Sequence, residues 1–190
     1  MENVSSDYEQ EAITTPVQAG FKTGVILGLV SLVVFYVAYF IDVSLLVNTW
    51  FSFTMFAISL GLLIYFGIDY RKSQGGLMSF GTAFQFVFIA FIISGLITTL
   101  GNILLFHVID PALPTVLADA QLESTIAMLD RFGAGEAITG DQMAEMRSAF
   151  IESRSVIGSI KAFGISLFVY AILALILGAI LKRRDKSLDY

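Results

Sequence analysis

The chain has 190 residues, of which 56% are hydrophobic and 14% are charged, and its formal net charge is −5. Soluble globular domains carry about 25% charged residues, so this chain has too few polar groups to cover a soluble surface. The acidic balance argues against a nucleic-acid partner, because nucleic-acid-binding proteins usually carry a basic patch or stripe. The absence of cysteine excludes disulfides, thiolate metal sites and cysteine nucleophiles.

The N-terminal segment, residues 1–15, is acidic and does not resemble a signal peptide. A signal peptide begins with positive charge, whereas residues 1–21 contain four acids and no lysine or arginine. The apolar run that follows is long and has no clear small-residue cleavage site at its end. We therefore expect this run to be retained as a first transmembrane helix.

Four long apolar runs predict an all-α, polytopic membrane protein with four transmembrane helices, since one crossing needs about 20 largely apolar residues. We predict a single four-helix transmembrane domain over residues 16–181, followed by a basic tail at residues 182–190. The predicted spans cover approximately residues 17–41, 47–68, 79–109 and 160–181.

The connection between the third and fourth spans, residues 110–159, is the only sizeable segment outside the predicted bilayer. Leu122, Ile126 and Leu129 recur at helical spacing, which predicts one helix of a hairpin. Thr139 with Gln142 matches a capping box, in which each side chain satisfies a free backbone N–H, and predicts the start of a second helix. We expect an ordered helical hairpin whose second helix leads directly into the fourth span.

The distribution of basic residues predicts the orientation of the chain. Lysine and arginine near span ends are retained on the cytoplasmic side, so both termini are expected to be cytoplasmic and the hairpin extracytoplasmic. A patch that attracts anionic lipid is an alternative role for the basic tail. The residues that set this topology are Arg71, Lys72, Lys182, Arg183, Arg184 and Lys186.

Three spans carry small residues at the spacing of one helix face, which lets neighbouring backbones approach closely. We expect these faces to pack the four helices together, and the alternative is contact with a second copy or another membrane protein. The predicted packing residues are Gly20, Gly24, Gly28, Ser94, Thr98, Gly101, Gly164, Ala171, Ala174 and Gly178.

Polar side chains are sparse within the spans, and none indicates a catalytic or metal site. We expect Asn102 to hydrogen-bond a neighbouring helix and His107 to be an ordinary interfacial residue near Asp110. One histidine and one aspartate do not make a metal site, which usually needs three or four protein ligands. The common hydrolase, zinc-protease, phosphate-loop and dinucleotide motifs are missing, so we expect no enzymatic activity, catalytic residue, cofactor or metal ion.

The sequence resembles a bacterial family known as domain of unknown function 4199. The resemblance depends on the glycines Gly20, Gly24 and Gly28, on the segment 69–84 (DYRKSQGGLMSFGTAF), and on Asp110-Pro111 after the third span. It implies a four-helix protein of the bacterial inner membrane with a helical extracytoplasmic segment and a basic tail. It supplies no activity, substrate or catalytic residue.

Two functions fit these features. The first is a non-enzymatic membrane protein that acts as a structural or accessory subunit of a larger assembly, with the lipid bilayer and other membrane proteins as partners. The second is a small oligomeric transporter or channel with a polar cleft lined by Gln85, Ser94, Thr98 and Asn102. The absence of a central Asp, Glu, Lys or Arg in any span counts against a proton-coupled transporter.

Overall fold

The computed structural model describes residues 14–133 and 139–183, and over these ranges the chain is helical with no strand. The helices are α1 (Pro16–Ile41), α2 (Thr49–Ser73), α3 (Phe80–Leu104), α4 (Leu113–Arg131), α5 (Gly140–Ser153) and α6 (Val156–Leu181). A short 3-10 helix, Val43–Val47, joins α1 to α2, and a π-helical turn, Leu105–Ile109, extends α3. Four of these segments are long and apolar enough to cross a membrane, which confirms the predicted fold class.

Short polar residues begin each spanning helix. Thr15 forms a capping box with Gln18 at the start of α1, and Asn48, Ser79 and Ser155 accept backbone N–H groups at the starts of α2, α3 and α6. These side chains satisfy donors that the first helical turn leaves free. Each span therefore has a defined first residue, set by the sequence rather than by the bilayer alone.

The turn between α2 and α3 places the two spans side by side. Gly75 and Gly76 have φ angles of 78° and 82°, which residues with a side chain rarely adopt. Gly76 N–H donates to Arg71 O at 3.0 Å and closes the end of α2. Spans α1 and α3 consequently run in one direction, and α2 and α6 run in the other.

The two ends of the bundle differ, and we name them by what they carry. The termini end carries the start of α1 and the end of α6, where Tyr70 Oη donates to Thr14 O at 3.1 Å and Arg71 Nη1 donates to Leu181 O at 3.0 Å. Met78 and Arg183 pair there through two backbone hydrogen bonds of 3.0 and 2.8 Å. The loop end carries the hairpin formed by α4 and α5.

Helix α3 is the centre of the bundle, because it makes most of its contacts with α1 on one side and α6 on another. The main core lies in the half of the bundle towards the termini end, where Phe86 is completely buried and stacks on Tyr70 with ring centroids 5.3 Å apart. A second, smaller core at the loop end packs Leu105 and Phe106 of the π-helical turn against Leu113 and Leu117 of α4. This second core fixes α4 to the end of the bundle.

The segment between α3 and α6 is the helical hairpin that the sequence predicts. Thr139 and Gln142 form the expected capping box at the start of α5. The sequence analysis expects α5 to lead directly into α6, but the structure shows two separate helices. The chain breaks at Arg154 and Ser155, because the Ser155 side chain accepts Gly158 N–H and caps a new helix. An added Cβ on Gly158 would overlap the Glu152 carbonyl, so glycine permits this sharp break.

Candidate functional site at the loop end of the bundle

The predicted glycine face of α1 lies directly against α3. A Cβ atom added to Gly24 would stand 2.7 Å from Ala90 O and 2.8 Å from Ile93 Cβ, and one added to Gly20 would stand 2.6 Å from Phe86 O. A Cβ on Gly28 would meet Ile97 at 3.0 Å. The two backbones are therefore in contact over three helical turns, with no room for a side chain between them.

The other predicted packing residues have different environments. Gly101 faces Leu32 of α1, and Ala174 is completely buried. A Cβ atom added to Gly178 would stand 3.2 Å from Phe84 N. Ser94 and Ala171 are partly buried, and Thr98 donates back to the Ser94 and Gly95 carbonyls of its own helix. Gly164 is the exception, because it is exposed and an added Cβ would meet nothing within 4 Å.

Two further close contacts were not predicted. An added Cβ on Gly95 would collide with the Tyr170 side chain of α6, and one on Gly67 would stand 2.5 Å from a methyl of Leu181. Gly95 is adjacent to Ser94, so it lies on a different face of α3 from the predicted packing residues Ser94, Thr98 and Gly101. A single glycine that contacts one large side chain produces no repeated spacing in the sequence. These two contacts are therefore recognised only in the structure.

The described basic residues among those predicted to set the topology lie together at the termini end. Arg71 and Lys72 occupy the last turn of α2, and Lys182 and Arg183 follow α6. Arg184 and Lys186 lie outside the described residues. Basic residues at the C-terminal end of a helix also interact favourably with its dipole, so Arg71 and Lys72 fit this position locally as well.

A cavity of about 260 Å³ separates the loop-side half of α2 from α1 and α3. Its walls are mainly apolar, and Ser31, Ser52, Ser59, Thr98 and Asn102 contribute its polar groups. Helix α2 is buried only at Leu63, Gly67 and Tyr70, all in its other half. The loop-side half of α2 therefore stands away from the bundle.

Asn102 differs from the expectation that it would hydrogen-bond a neighbouring helix. Within the described part of the chain its side-chain amide makes no hydrogen bond, and Asn102 instead lines this cavity and a second one nearer the loop end. The hydrogen bond between α1 and α3 at this level uses the α3 backbone instead, because Tyr36 Oη donates to Gly101 O at 2.9 Å. The cavities keep the Asn102 amide away from the facing helices.

An exposed ion pair joins the two helices of the hairpin. The Arg147 guanidinium donates to both carboxylate oxygens of Asp119, with Nη2 3.2 Å from Oδ2. This hydrogen bonding lowers the pKa of Asp119 and raises that of Arg147. A two-point contact fixes the relative position of α4 and α5 more strictly than a single hydrogen bond would.

A shallow, open groove runs along one face of α4, and all of its described lining residues belong to that helix. Leu122, Ile126 and Ala127 form its apolar wall, and Glu123 and Asp130, together with Asp119, supply its acidic groups. Asp119 is paired with Arg147, so Glu123 and Asp130 are the carboxylates of this groove without an ion-pair partner among the described residues. The groove thus offers apolar contact flanked by negative charge.

His107 and Asp110 face different neighbours at the loop end. His107 Nε2 lies 3.3 Å from the Arg154 carbonyl, and Asp110 Oδ2 accepts the Tyr39 hydroxyl at 3.1 Å. Across residues 14–133 and 139–183 no group of three or more His, Cys, Asp or Glu side chains is placed to hold a metal ion. Both residues have structural contacts that account for their positions.

Comparison with known proteins gives one match. The family described as "Protein of unknown function (DUF4199)" matches the chain over residues 22–183, which include all four spanning helices and the hairpin. No curated protein and no solved structure matches the chain. The family match agrees with the resemblance noted from the sequence, and the description of the family assigns no activity.

Proposed function

We propose that this chain, which belongs to the DUF4199 family, is a non-enzymatic accessory subunit of a membrane assembly and contacts its partner through the α4–α5 hairpin. The observation that carries the proposal is the acidic groove on α4, presented by a hairpin that is itself folded and braced. Leu113 and Leu117 anchor α4 on the bundle, and the Asp119–Arg147 pair joins it to α5. A rigid surface loses little conformational entropy when a partner binds.

The chemistry of the groove favours a basic, amphipathic segment of another protein. Leu122 and Ile126 would contact its apolar side chains, and Glu123 and Asp130 would attract its lysines or arginines. Opposite charges at the edge of an interface mainly accelerate association and select the correct partner, and apolar contact supplies most of the affinity. We therefore expect binding that weakens as salt is added.

The location we propose is the bacterial inner membrane, with both termini cytoplasmic and the hairpin outside. The clustering of Arg71, Lys72, Lys182 and Arg183 at the termini end supports it through the positive-inside rule. The chain contains no cysteine, so single-cysteine variants report accessibility without background. Ala134→Cys should react with an impermeant thiol reagent in intact cells with a permeable outer envelope, and Ser187→Cys should not. The opposite pattern would reverse the orientation.

The partner hypothesis is tested by affinity purification from native membranes in mild detergent. A photo-crosslinking residue in place of Ile126 should capture a protein whose crosslinked peptide is rich in lysine or arginine. The double substitution Glu123→Lys and Asp130→Lys should abolish that crosslink, because it reverses the charge of the groove. Glu145→Lys is the matched control, since Glu145 is an exposed acid on α5 outside the groove. A crosslink that survives the double substitution, or none at all, would contradict the proposal.

The alternative, a small oligomeric transporter or channel, has one observation in its favour. Asn102 borders both the cavity beside α2 and the cavity nearer the loop end, so polar surface extends some distance into the bundle. Reconstituted liposomes would discriminate between the two functions. Solute or ion flux that depends on the protein and falls in Asn102→Leu would favour transport, and no flux across a panel of ions and small solutes would leave the accessory subunit as the proposal.

A further inference from the structure

The cavity at the loop end lies mainly between α3 and α6, with single residues of α1, the 3-10 helix and α4 and the end of α5 at its edges, and has a volume of about 430 Å³. It differs from the α4 groove, with which it shares no lining residue. Its polar lining comprises Thr99, Asn102, Ser153, Arg154, Ser159, Ser166 and Tyr170.

Arg154 is the charged residue of this cavity. No carboxylate lines the cavity among the residues that the structure describes, and Arg154 makes no ion pair with any of them. Its Nη1 donates to Phe150 O at 2.9 Å, which leaves the other guanidinium N–H groups without a protein acceptor in the described structure. The side chain is partly buried, and this desolvation lowers the pKa of Arg154.

The local backbone positions Arg154 at the cavity. Arg154 is the C-cap residue of α5, and its guanidinium turns back to the Phe150 carbonyl at the end of that helix, while Ser155 caps the start of α6. The Arg154 carbonyl is within 3.3 Å of His107 Nε2 at the end of α3. A partly desolvated cation with spare N–H groups, in a cavity that no described carboxylate lines, is unfavourable unless something neutralises it.

The remaining walls of the cavity are apolar and approach the membrane. Phe35, Phe106 and Phe163 come from spanning segments α1, α3 with its π-helical turn, and α6. The cavity therefore places Ser153, Arg154 and Ser159 at its loop-end rim, and its aromatic and remaining hydroxyl side chains continue along α3 and α6 into the spans. A molecule that fits has an anionic, oxygen-rich head and an apolar portion that extends towards the spans.

We propose that this cavity is a binding site for an oxyanion, a phosphate or carboxylate group, which Arg154 holds with support from the hydroxyl groups of Thr99, Ser159 and Tyr170. The guanidinium matches both groups, because its planar N–H fork can donate two parallel hydrogen bonds to a pair of oxygens. The site is independent of the partner surface on α4. The headgroup of an anionic lipid and a free soluble anion share this chemistry, and their binding can be measured separately.

Native mass spectrometry of the full chain provides the test. Purified protein is mixed in turn with phosphatidylglycerol, with phosphatidylcholine of the same acyl chains, and with glycerol phosphate, and the bound fraction is measured. We expect phosphatidylglycerol to be retained over phosphatidylcholine, and Arg154→Gln to weaken it about tenfold, as for the loss of a hydrogen bond to a charged group. Arg154→Lys should retain more binding than Arg154→Gln because it keeps the charge.

Arg131→Gln is the matched control, because Arg131 is an exposed arginine of α4 that lines no cavity. If Arg154→Gln does not fold, Ser166→Leu leaves Arg154 in place but fills the cavity, and it should also reduce binding. Retention of glycerol phosphate equal to that of the lipid would assign a soluble anion to the site. Equal retention of both phospholipids without glycerol phosphate binding, or binding unchanged in both Arg154→Gln and Ser166→Leu, would overturn the proposal.

Discussion

The contact between α1 and α3 and the contact between α2 and its neighbours show two kinds of helix packing in one bundle. Both α1 and α2 are long and apolar enough to span a membrane. Helix α1 lies against the α3 backbone along its glycine face, but the loop-side half of α2 is separated from both helices by a cavity. Lipid is as apolar as a helix surface, so tight pairing depends on how closely the backbones can approach.

The difference is explained by where small residues meet. Gly20, Gly24 and Gly28 repeat every fourth residue and form one continuous flat strip against α3. Helix α2 has two glycines, of which Gly67 contacts Leu181 and Gly61 has nothing within 4 Å of an added Cβ. Helix α2 can therefore approach the bundle closely near Gly67 and lacks a matching surface nearer its start.

The largest expected effect comes from filling the α1–α3 contact. Gly24→Leu would place its Cβ 2.7 Å from a backbone oxygen that cannot move aside without shifting α3. Overpacking of this kind typically costs about 1–3 kcal/mol, and a rigid backbone on one side puts this case at the upper end. Thermal unfolding in detergent should show a clearly lowered midpoint. Gly164→Leu on α6 is the control and should melt like the parent, because its site is open. Equal melting of both variants would show that the glycine face is not a close contact.

A smaller effect is expected at the one tight point of α2. Gly67→Ala would place a methyl group 2.5 Å from the end of the Leu181 side chain, which can change rotamer more easily than a backbone can shift. Gly67→Ala should therefore lower the unfolding free energy by about 1 kcal/mol, which is less than the loss expected for Gly24→Ala. Gly61→Ala, on the same helix with open space, provides the comparison. If Gly67→Ala were more damaging than Gly24→Ala, the ranking of the two contacts would be wrong.

The cavity beside α2 should tolerate added volume. Ser59→Leu would extend a side chain into a space of about 260 Å³ and replace a hydroxyl group with apolar surface. Because no backbone needs to move, the unfolding midpoint should stay within the range of ordinary neutral changes, about ±0.5 kcal/mol, or rise. Destabilisation comparable to that of Gly24→Leu would mean that α2 packs more tightly than the cavity indicates.

The smallest effect concerns the ion pair between the two helices of the hairpin. The pKa of Asp119 is lowered by hydrogen bonds from Arg147, so the pair stabilises the hairpin above the ordinary carboxyl pKa. This contribution is lost as the pH falls through the lowered pKa of Asp119. Hydrogen exchange of α4 and α5, corrected for its intrinsic pH dependence, should rise modestly on acidification and should lose this response in Asp119→Asn. Exposed pairs contribute little, so the four spans should be unaffected.

Limited proteolysis examines the order of the whole hairpin. The braced helices predict that cleavage, if it occurs, is confined to the region between Gly133 and Gly140, where α4 has ended and α5 has not begun. Rapid cutting throughout residues 115–155 would show that the hairpin is not a stable surface and would remove the basis for a partner on α4.

Much of the fold could be predicted from the sequence because its signals are local. Charge-free runs identified the four spans, and Thr139 with Gln142 identified the start of α5. The break at Ser155 was missed, because the helical periodicity of the hairpin continues through it and its cause is a cap combined with a close approach at Gly158. The sequence also gives no signal for the cavity at Arg154, because residues from α1, α3, α4, α5 and α6, distant in sequence, line it together.

Distances between spin labels test most directly whether α1 is fixed to α3 and α2 is not. Cysteines can be introduced at Val33 of α1, Phe56 of α2 and Leu96 of α3, which are all exposed on their helices, in a chain with no native cysteine. Electron–electron double resonance in lipid nanodiscs should give a narrow distance distribution for the Val33–Leu96 pair and a broader one for Phe56–Leu96. Adding Gly24→Leu should broaden the first. Equally narrow distributions for both pairs, with no response to Gly24→Leu, would contradict the distinction between the two contacts.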